Sequence, residues 1–305
     1  MKISKITLGT AQLGLEYGIA NAIGKPDFAT SIKILTYAWN KGINSFDTAP
    51  VYGDSENIIG SFALNRNIDP FIITKLPAIN TKQEISFESI YNQIKQHVKI
   101  SLSNLKINKI PIYLVHNTSD MFIKHGLVFE CLNQIKQEGL IEKYGISAYT
   151  PEEVKESLTF KEIDVIQVPI NLFDQRLIIS NLLKTLKNHN YIVLARSIYL
   201  QGLFFLDPNN LPLNMNMAEI PLKKLRALAK EYDTKISEMA FSFVRDLPEI
   251  TSLVIGAENL EQIDENVKLL KTKPLNSQLC ERITEEFSAL PDYLINPSLW
   301  NPQFK

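Results

Sequence analysis

SFDTAPVYGDSENIIG, Ser45 to Gly60, follows the short apolar stretch Gly42-Ile43-Asn44 and runs into a segment that reads as a helix. Asp47 falls where a strand would stop, and Tyr52 follows five residues later in a turn-rich loop. Two other apolar runs end on a polar residue in the same way, FIITK at Lys75 and IYLVH at His116. A carboxylate, a phenol, an ammonium and an imidazole, three of them closing apolar strands, form an acid–base constellation if those strands end on one face. A lysine that finishes a buried strand needs a partner.

Working outward, short β-branched runs recur, each followed by a helical pattern. The expected strands are Lys5–Leu8, Ile43–Thr48, Phe71–Leu76, Ile110–His116, Tyr144–Ser147, Val165–Pro169, Ile192–Ser197 and Leu253–Ala257. Nearly continuous apolar strands suit a parallel sheet covered on both sides. Helices are expected at 29–41, 55–65, 86–105, 127–138, 151–158, 176–189, 222–232, 235–247 and 259–270. Thr150-Pro151-Glu152-Glu153 places proline at a first helical position with carboxylates in the first turn, and Asn259 is placed to cap LEQIDENVKLL. Eight βα units without a long linker predict an α/β chain of one domain, 1–305, folded as a (β/α)₈ barrel. A doubly wound sheet would carry a Gly-rich fingerprint after its first strand; Gly9-Thr10-Ala11-Gln12-Leu13-Gly14 is neither that nor a phosphate loop. Leu203–Glu219 reads as a long loop over the barrel mouth, and the tail after Pro274 is expected to wrap back to the same face.

Composition narrows the function. The 305 residues carry 32 Lys plus Arg against 33 Asp plus Glu, a formal charge of −1, which offers nothing to nucleic acid or an anionic membrane. Cys131 and Cys280 have no metal-ligand spacing, so no metal is expected and both read as reduced. No apolar run approaches a bilayer span, and MKISKITLGT lacks a signal peptide's apolar stretch, so the expectation is a cytoplasmic protein.

The ordered motifs LGTAQLG, DTAPVYGDSENIIG, ITK, YLVHN, YGISAY, IQVPINLFDQR, ARSIYLQGLF and IGAENLEQIDEN resemble the aldo/keto reductase family over almost the whole chain. The LGTAQLGLEYGIAN opening is similar to a branch linked to carbohydrate biosynthesis. The resemblance implies reversible reduction of an aldehyde or ketone, including sugar-type carbonyls, by NADP(H) or NAD(H). It implies a tetrad of Asp47, Tyr52, Lys75 and His116, with Tyr52 the general acid, Lys75 lowering its pKa, Asp47 holding Lys75, and His116 fixing the carbonyl oxygen. It also implies that Gly9 and Thr10 border the cofactor and that Ser147 and Gln167 grip its carboxamide.

In this chain Ala148 stands where the family usually has Asn; Asn171 is a candidate substitute. Arg196 stands where an aromatic often stacks on the nicotinamide, and a flat guanidinium can stack likewise. Ser197, Leu200 and Gly202 would approach the pyrophosphate, and Gly256, Ala257, Gln262 and Asn266 the adenosine end. Glu258 replaces a cation that often neutralises a 2′-phosphate, which points toward NAD(H) unless a lysine such as Lys25 or Lys223 supplies the charge. The loop Gln12–Phe28, Leu203–Ile220 and the tail, with Tyr293 and Trp300, would set the substrate. Two other functional classes use the same parts: a nicotinamide-binding regulatory protein with little turnover, and a lyase or aldolase using Lys75 as a Schiff-base nucleophile.

Overall fold

Eight parallel strands close on themselves in chain order: β1 Ile6–Gly9, β2 Ser45–Asp47, β3 Phe71–Leu76, β4 Ile110–Val115, β5 Ile141–Ser147, β6 Val165–Pro169, β7 Ile192–Arg196 and β8 Ser252–Gly256. The computed structural model describes residues 2–19, 21, 24–82, 85–160 and 162–300. The expected barrel is therefore what forms, with every expected strand present and β1 pairing with β8 to close it.

Side chains on a strand alternate between faces, so every second residue points into the barrel. Ile73, Ile112, Leu114, Val165, Leu194 and Val254 form a small apolar cluster of their own, distinct from the large one between the strands and the helices. The opposite, N-terminal end is closed by hydroxyls: Thr7 Oγ1 lies 2.8 Å from Ser45 Oγ and 2.7 Å from Ser252 Oγ. Two residues further along the same inward-facing rows stand Asp47, Lys75, His116, Gln167, Arg196 and Gly256. Gly9, Asp47 and Ile73 lie side by side across β1–β3, and Ser147 pairs with Gln167 across β5 and β6. The strand ends thus gather the candidate side chains on one face.

Local signals set the helix starts. Asp27, Ser86 and Asn259 accept hydrogen bonds from Thr30, Ser89 and Gln262 backbone N–H groups, and Thr150 with Glu153 forms a reciprocal capping box. The expected single helix over 176–189 is instead two, Arg176–Ile179 and Leu182–Asn188, because Asn181 takes a left-handed conformation with φ 58°. The tail contains a helix that was not expected, Ser277–Phe287, burying Leu279, Ile283 and Phe287 at four-residue spacing. Another unexpected helical turn, Ala11–Gly14, follows β1 directly. The end of the tail does return to the barrel mouth: Tyr293 Oη donates to the Asn214 carbonyl at 3.0 Å, and Trp300 Nε1 to the Tyr293 carbonyl at 2.7 Å. Residues 20, 22 and 23 of the first loop and 301–305 of the tail lie outside the described residues. Among the described residues no helix is long and apolar enough to cross a membrane.

Candidate active site

Lys75 is 1% exposed and closes β3 pointing inward. Its ammonium donates to Asp47 Oδ2 at 2.8 Å and to the Thr48 carbonyl at 2.8 Å, and stands 5.1 Å from the Tyr52 ring centroid. Asp47 Oδ1 accepts from Gln167 Nε2 at 2.7 Å, and Gln167 Oε1 accepts from Ser147 Oγ at 3.1 Å. One hydrogen-bonded chain therefore runs from Lys75 on β3 through Asp47 on β2 and Gln167 on β6 to Ser147 on β5. A carboxylate accepts and cannot donate, so Asp47 dictates which way the Gln167 amide faces. The chain also satisfies both oxygens of a buried carboxylate, which would otherwise be costly.

Tyr52 and His116 stand on the open side of this chain, their rings edge to face at 6.1 Å. Burial pushes the Tyr52 phenol well above the usual tyrosine value, and the Asp47 charge pushes it further, with the Arg196 guanidinium opposing. The net direction is the reverse of the expected lowering, because burial and the Asp47 charge outweigh the pull of the Lys75 ammonium, itself held 2.8 Å from that carboxylate and from a carbonyl. Tyr52 is a neutral, protonated acid at ordinary pH. His116 is driven the other way: burial, then Lys75 and Arg196, lower its pKa to about 3, so the imidazole is neutral.

These groups form one wall of a cleft of about 1230 Å³ across the C-terminal face of the barrel. Gly9, Thr10, Ser147 and Gln167 line its centre, Arg196, Ser197 and Gly202 one side, and Gly256, Glu258, Gln262 and Asn266 the far end. Lys75 stands behind Asp47 rather than on the surface. Leu200 and Ala257 do not line the cleft; they are 0% and 1% exposed and pack in the large apolar core. Asn171 is also outside the cleft, its Oδ1 accepting from the Phe173 and Asp174 backbone N–H groups, so it does not substitute for the missing Asn at 148. The Ala148 carbonyl accepts instead from Arg196 Nη2 at 3.1 Å, and the Arg196 guanidinium lies 4.3 Å over the Tyr149 ring. Its Nε is buried with no partner among the described residues.

Several wall residues were not singled out from the sequence, among them Gln12, Tyr17 and Tyr149. Gln12 is 4% exposed, and its amide lies so close over Gly256 that a Cβ there would come within 2.4 Å of it. Tyr17 lines the mouth and accepts from Gln201 Nε2 at 3.2 Å; burial and the neighbouring Tyr52 phenol raise it to about 12. Gln12 and Tyr17 lay within a loop expected to set the substrate, but loop residues carry no period that says which side chain turns inward.

At the far end, Glu258 N–H donates to Gln262 Oε1 at 2.7 Å and Tyr199 Oη to Asn266 Oδ1 at 2.9 Å. Burial raises the Glu258 carboxyl from its ordinary value, with Gln262 opposing. Glu265 stands beside it in the same wall. The lysines that could have answered a phosphate are engaged elsewhere: Lys25 pairs with Asp54 at 3.1 Å and Lys223 with Glu219 at 2.6 Å, and neither lines the cleft. Among the described residues no cluster of three His, Cys, Asp or Glu side chains is placed to hold a metal.

Comparison with known proteins agrees with this arrangement. The model of the aldo/keto reductase family matches residues 5–286. The chain is 28% identical over 296 residues to the uncharacterized oxidoreductase YqkF of Bacillus subtilis, covering 91% of this chain and 90% of that one. It is 27% identical over 307 residues to the NADH-specific methylglyoxal reductase of Escherichia coli, covering 88% and 90%. The holo form of the aldo-keto reductase AKR11C1 from Bacillus halodurans shares the fold with a TM-score of 0.74 at 24% identity, covering 96% of both chains.

Proposed function

The chain belongs to the aldo/keto reductase family and is an NAD(P)H-dependent oxidoreductase, and we propose that it reduces a small aldehyde or ketone with NAD(H), using Tyr52 as the proton donor. The observation that carries this reading is the buried Lys75–Asp47 pair set behind a protonated Tyr52 at the floor of a large cleft.

The cleft suits the dinucleotide. Its volume of about 1230 Å³ exceeds what a small carbonyl compound needs, Gly9 and Gly256 bring bare backbone to the wall, and Arg196 keeps an unpartnered buried N–H. Ser147, Gln167 and Arg196 line the cleft together, and the first two would hold the carboxamide. When bound, the dinucleotide supplies the hydride that adds to the carbonyl carbon. The carbonyl oxygen gains negative charge as that bond forms, and the Tyr52 hydroxyl transfers its proton to it. The Lys75 ammonium, held in place by Asp47 and Thr48, stabilises the phenolate left behind. Neutral His116 donates one hydrogen bond to the substrate oxygen and does not compete as an acid. With its ammonium held against two acceptors, Lys75 has no free amine for a Schiff base, so the lyase reading has no support.

NAD(H) is favoured by the charges of the wall. Among the described residues that line the cleft are the carboxylates of Glu16, Asp47, Glu258 and Glu265, and one strong cation, Arg196, close to Tyr52 and His116. A 2′-phosphate at the adenosine end would meet Glu258, and among the described residues no ammonium or guanidinium lines that end of the cleft. A 2′-hydroxyl could instead donate to that carboxylate, as in dinucleotide folds selective for NAD. The NADH-specific relative supports the same choice. Initial rates with methylglyoxal, simple aldehydes, ketones and aldoses, each with NADH and NADPH, test the proposal. Turnover is expected with NADH; a kcat/KM clearly higher with NADPH would refute the cofactor assignment, and no turnover with any carbonyl would refute the reaction.

A further inference from the structure

Behind the Tyr52 ring the loops after β1 and β2 touch backbone to backbone. A Cβ built on Gly14 would fall 1.7 Å from the Tyr52 carbonyl oxygen and 2.7 Å from its carbonyl carbon. Gly53 is the reciprocal case: its φ is +54°, and its Cβ would fall 2.5 Å from the Gly14 carbonyl oxygen. Both obstacles are main-chain atoms, so rotation of a side chain relieves neither. Gly14 leaves the space that the Tyr52 carbonyl fills, and Gly53 the space that the Gly14 carbonyl fills.

The contact is fixed in register by a set of buried hydroxyls. Ser55 Oγ donates toward Thr10 Oγ1 at 2.7 Å and the Thr10 carbonyl at 3.1 Å, and accepts from Thr48 Oγ1 at 3.0 Å. Thr10 Oγ1 donates in turn to the Asp47 carbonyl at 2.8 Å, while the Ser55 N–H donates to the Tyr52 carbonyl at 3.1 Å. The turn Ala11–Gly14 is therefore pinned at its start to the end of β2 and pressed at its end against Tyr52 itself. Tyr52 sits in a loop, with no strand pairing of its own to hold it; this contact does that work.

We propose that Gly14 is a positioning residue for Tyr52, the absence of its side chain setting how deep the phenol sits in the cleft. The inference rests on the reading of Tyr52 as proton donor. With a methyl at position 14, the Tyr52 backbone must withdraw by more than an ångström, and a misplacement of about 1 Å costs on the order of 10²-fold in rate.

A double-mutant cycle on the full chain, read by single-turnover oxidation of NADH with methylglyoxal, tests it. Gly14→Ala is expected to lower the rate by about 10²-fold when Tyr52 is present and by less than about twofold in the Tyr52→Phe background, because a missing proton donor cannot be misplaced. Gly42→Ala is the control for backbone strain without a close contact: Gly42 has a left-handed φ, +88°, and nothing within 4 Å of an added Cβ. It is expected to lower the melting temperature and leave the rate unchanged. If Gly14→Ala does not fold, Ser55→Ala carries the same cycle, with a smaller loss that again disappears without the Tyr52 hydroxyl. An equal loss in both backgrounds, or none in either, overturns the positioning role while the proton-donor reading stands. Full turnover by Tyr52→Phe alone overturns that reading and the positioning role with it.

Discussion

The two ends of the cleft are built on different principles. Over β2, β3, β5 and β6 the polar groups are strand-end side chains, almost wholly buried, each bonded to the next across the barrel: Lys75 to Asp47, Asp47 to Gln167, Gln167 to Ser147. Over β8 they belong to a loop and the first turns of a helix, the Glu258 N–H bonded to Gln262 within that turn and Asn266 to Tyr199 of the loop after β7. A change at the first end leaves a charge stranded in the core. A change at the second alters what the wall offers a ligand and little else. In the proposed function the chemistry belongs to the buried network, and cofactor choice to the wall where single residues can change without stranding a charge.

The largest effect is expected at Lys75. Lys75→Met leaves the Asp47 carboxylate buried with Gln167 as its remaining side-chain partner, so unfolding in urea should show a loss of about 3–5 kcal/mol. Turnover should fall with it. A melting point unchanged from wild type would mean that the pair is solvated and the contrast between the two ends is false. Next comes Glu258→Arg, which exchanges a carboxylate for a guanidinium that can pair with a phosphate. A charged hydrogen bond contributes about 1.5–3 kcal/mol, so the ratio of NADPH to NADH affinity should rise by about 10–100-fold with kcat little altered. No change in that ratio would place the adenosine 2′ position elsewhere.

A pH dependence separates the ends more finely. The His116 pKa is lowered in the fold to about 3, from an ordinary value of 6.5. Between those values the unfolded chain binds a proton that the native chain does not, so stability falls as pH drops from 6.5 toward 3. The slope from this one group is at most about 1.4 kcal/mol per pH unit. His116→Asn should flatten that part of the curve, measured by chemical denaturation at successive pH values; an unchanged slope would show that His116 titrates normally. The smallest effect is expected at the cap of the helix after β8: Asn259→Ala removes the hydrogen bond to Gln262 N–H and should cost about 1 kcal/mol.

Legibility followed the same division. Parallel strands buried on both faces are continuous apolar runs, so β1–β8 could be located, and polar residues ending such runs marked Asp47, Lys75 and His116. The helix Ser277–Phe287 carried a readable pattern too, Leu279, Ile283 and Phe287, but lay in a stretch taken as a tail. What could not be read were properties of packing. Leu200 and Ala257 sit in the right segments, yet their side chains turn to the core. Lys75 beside Tyr52 suggests a lowered phenol, and only the packing shows burial and the Asp47 carboxylate raising it instead. Gln12 and Tyr17 were invisible as individuals because the backbone contact at Gly14 that orients their loop joins residues far apart in sequence.

The division of labour between the two ends is tested most directly by titrating NADH into wild type and Tyr52→Phe, followed by quenching of tryptophan fluorescence, with turnover of methylglyoxal measured on the same samples. Trp300 lines the cleft and reports occupancy. The expected result is an NADH Kd unchanged within about twofold and a turnover lower by about 10²–10⁴-fold, the usual contribution of a general acid. Turnover that survives the loss of the Tyr52 hydroxyl would contradict the account.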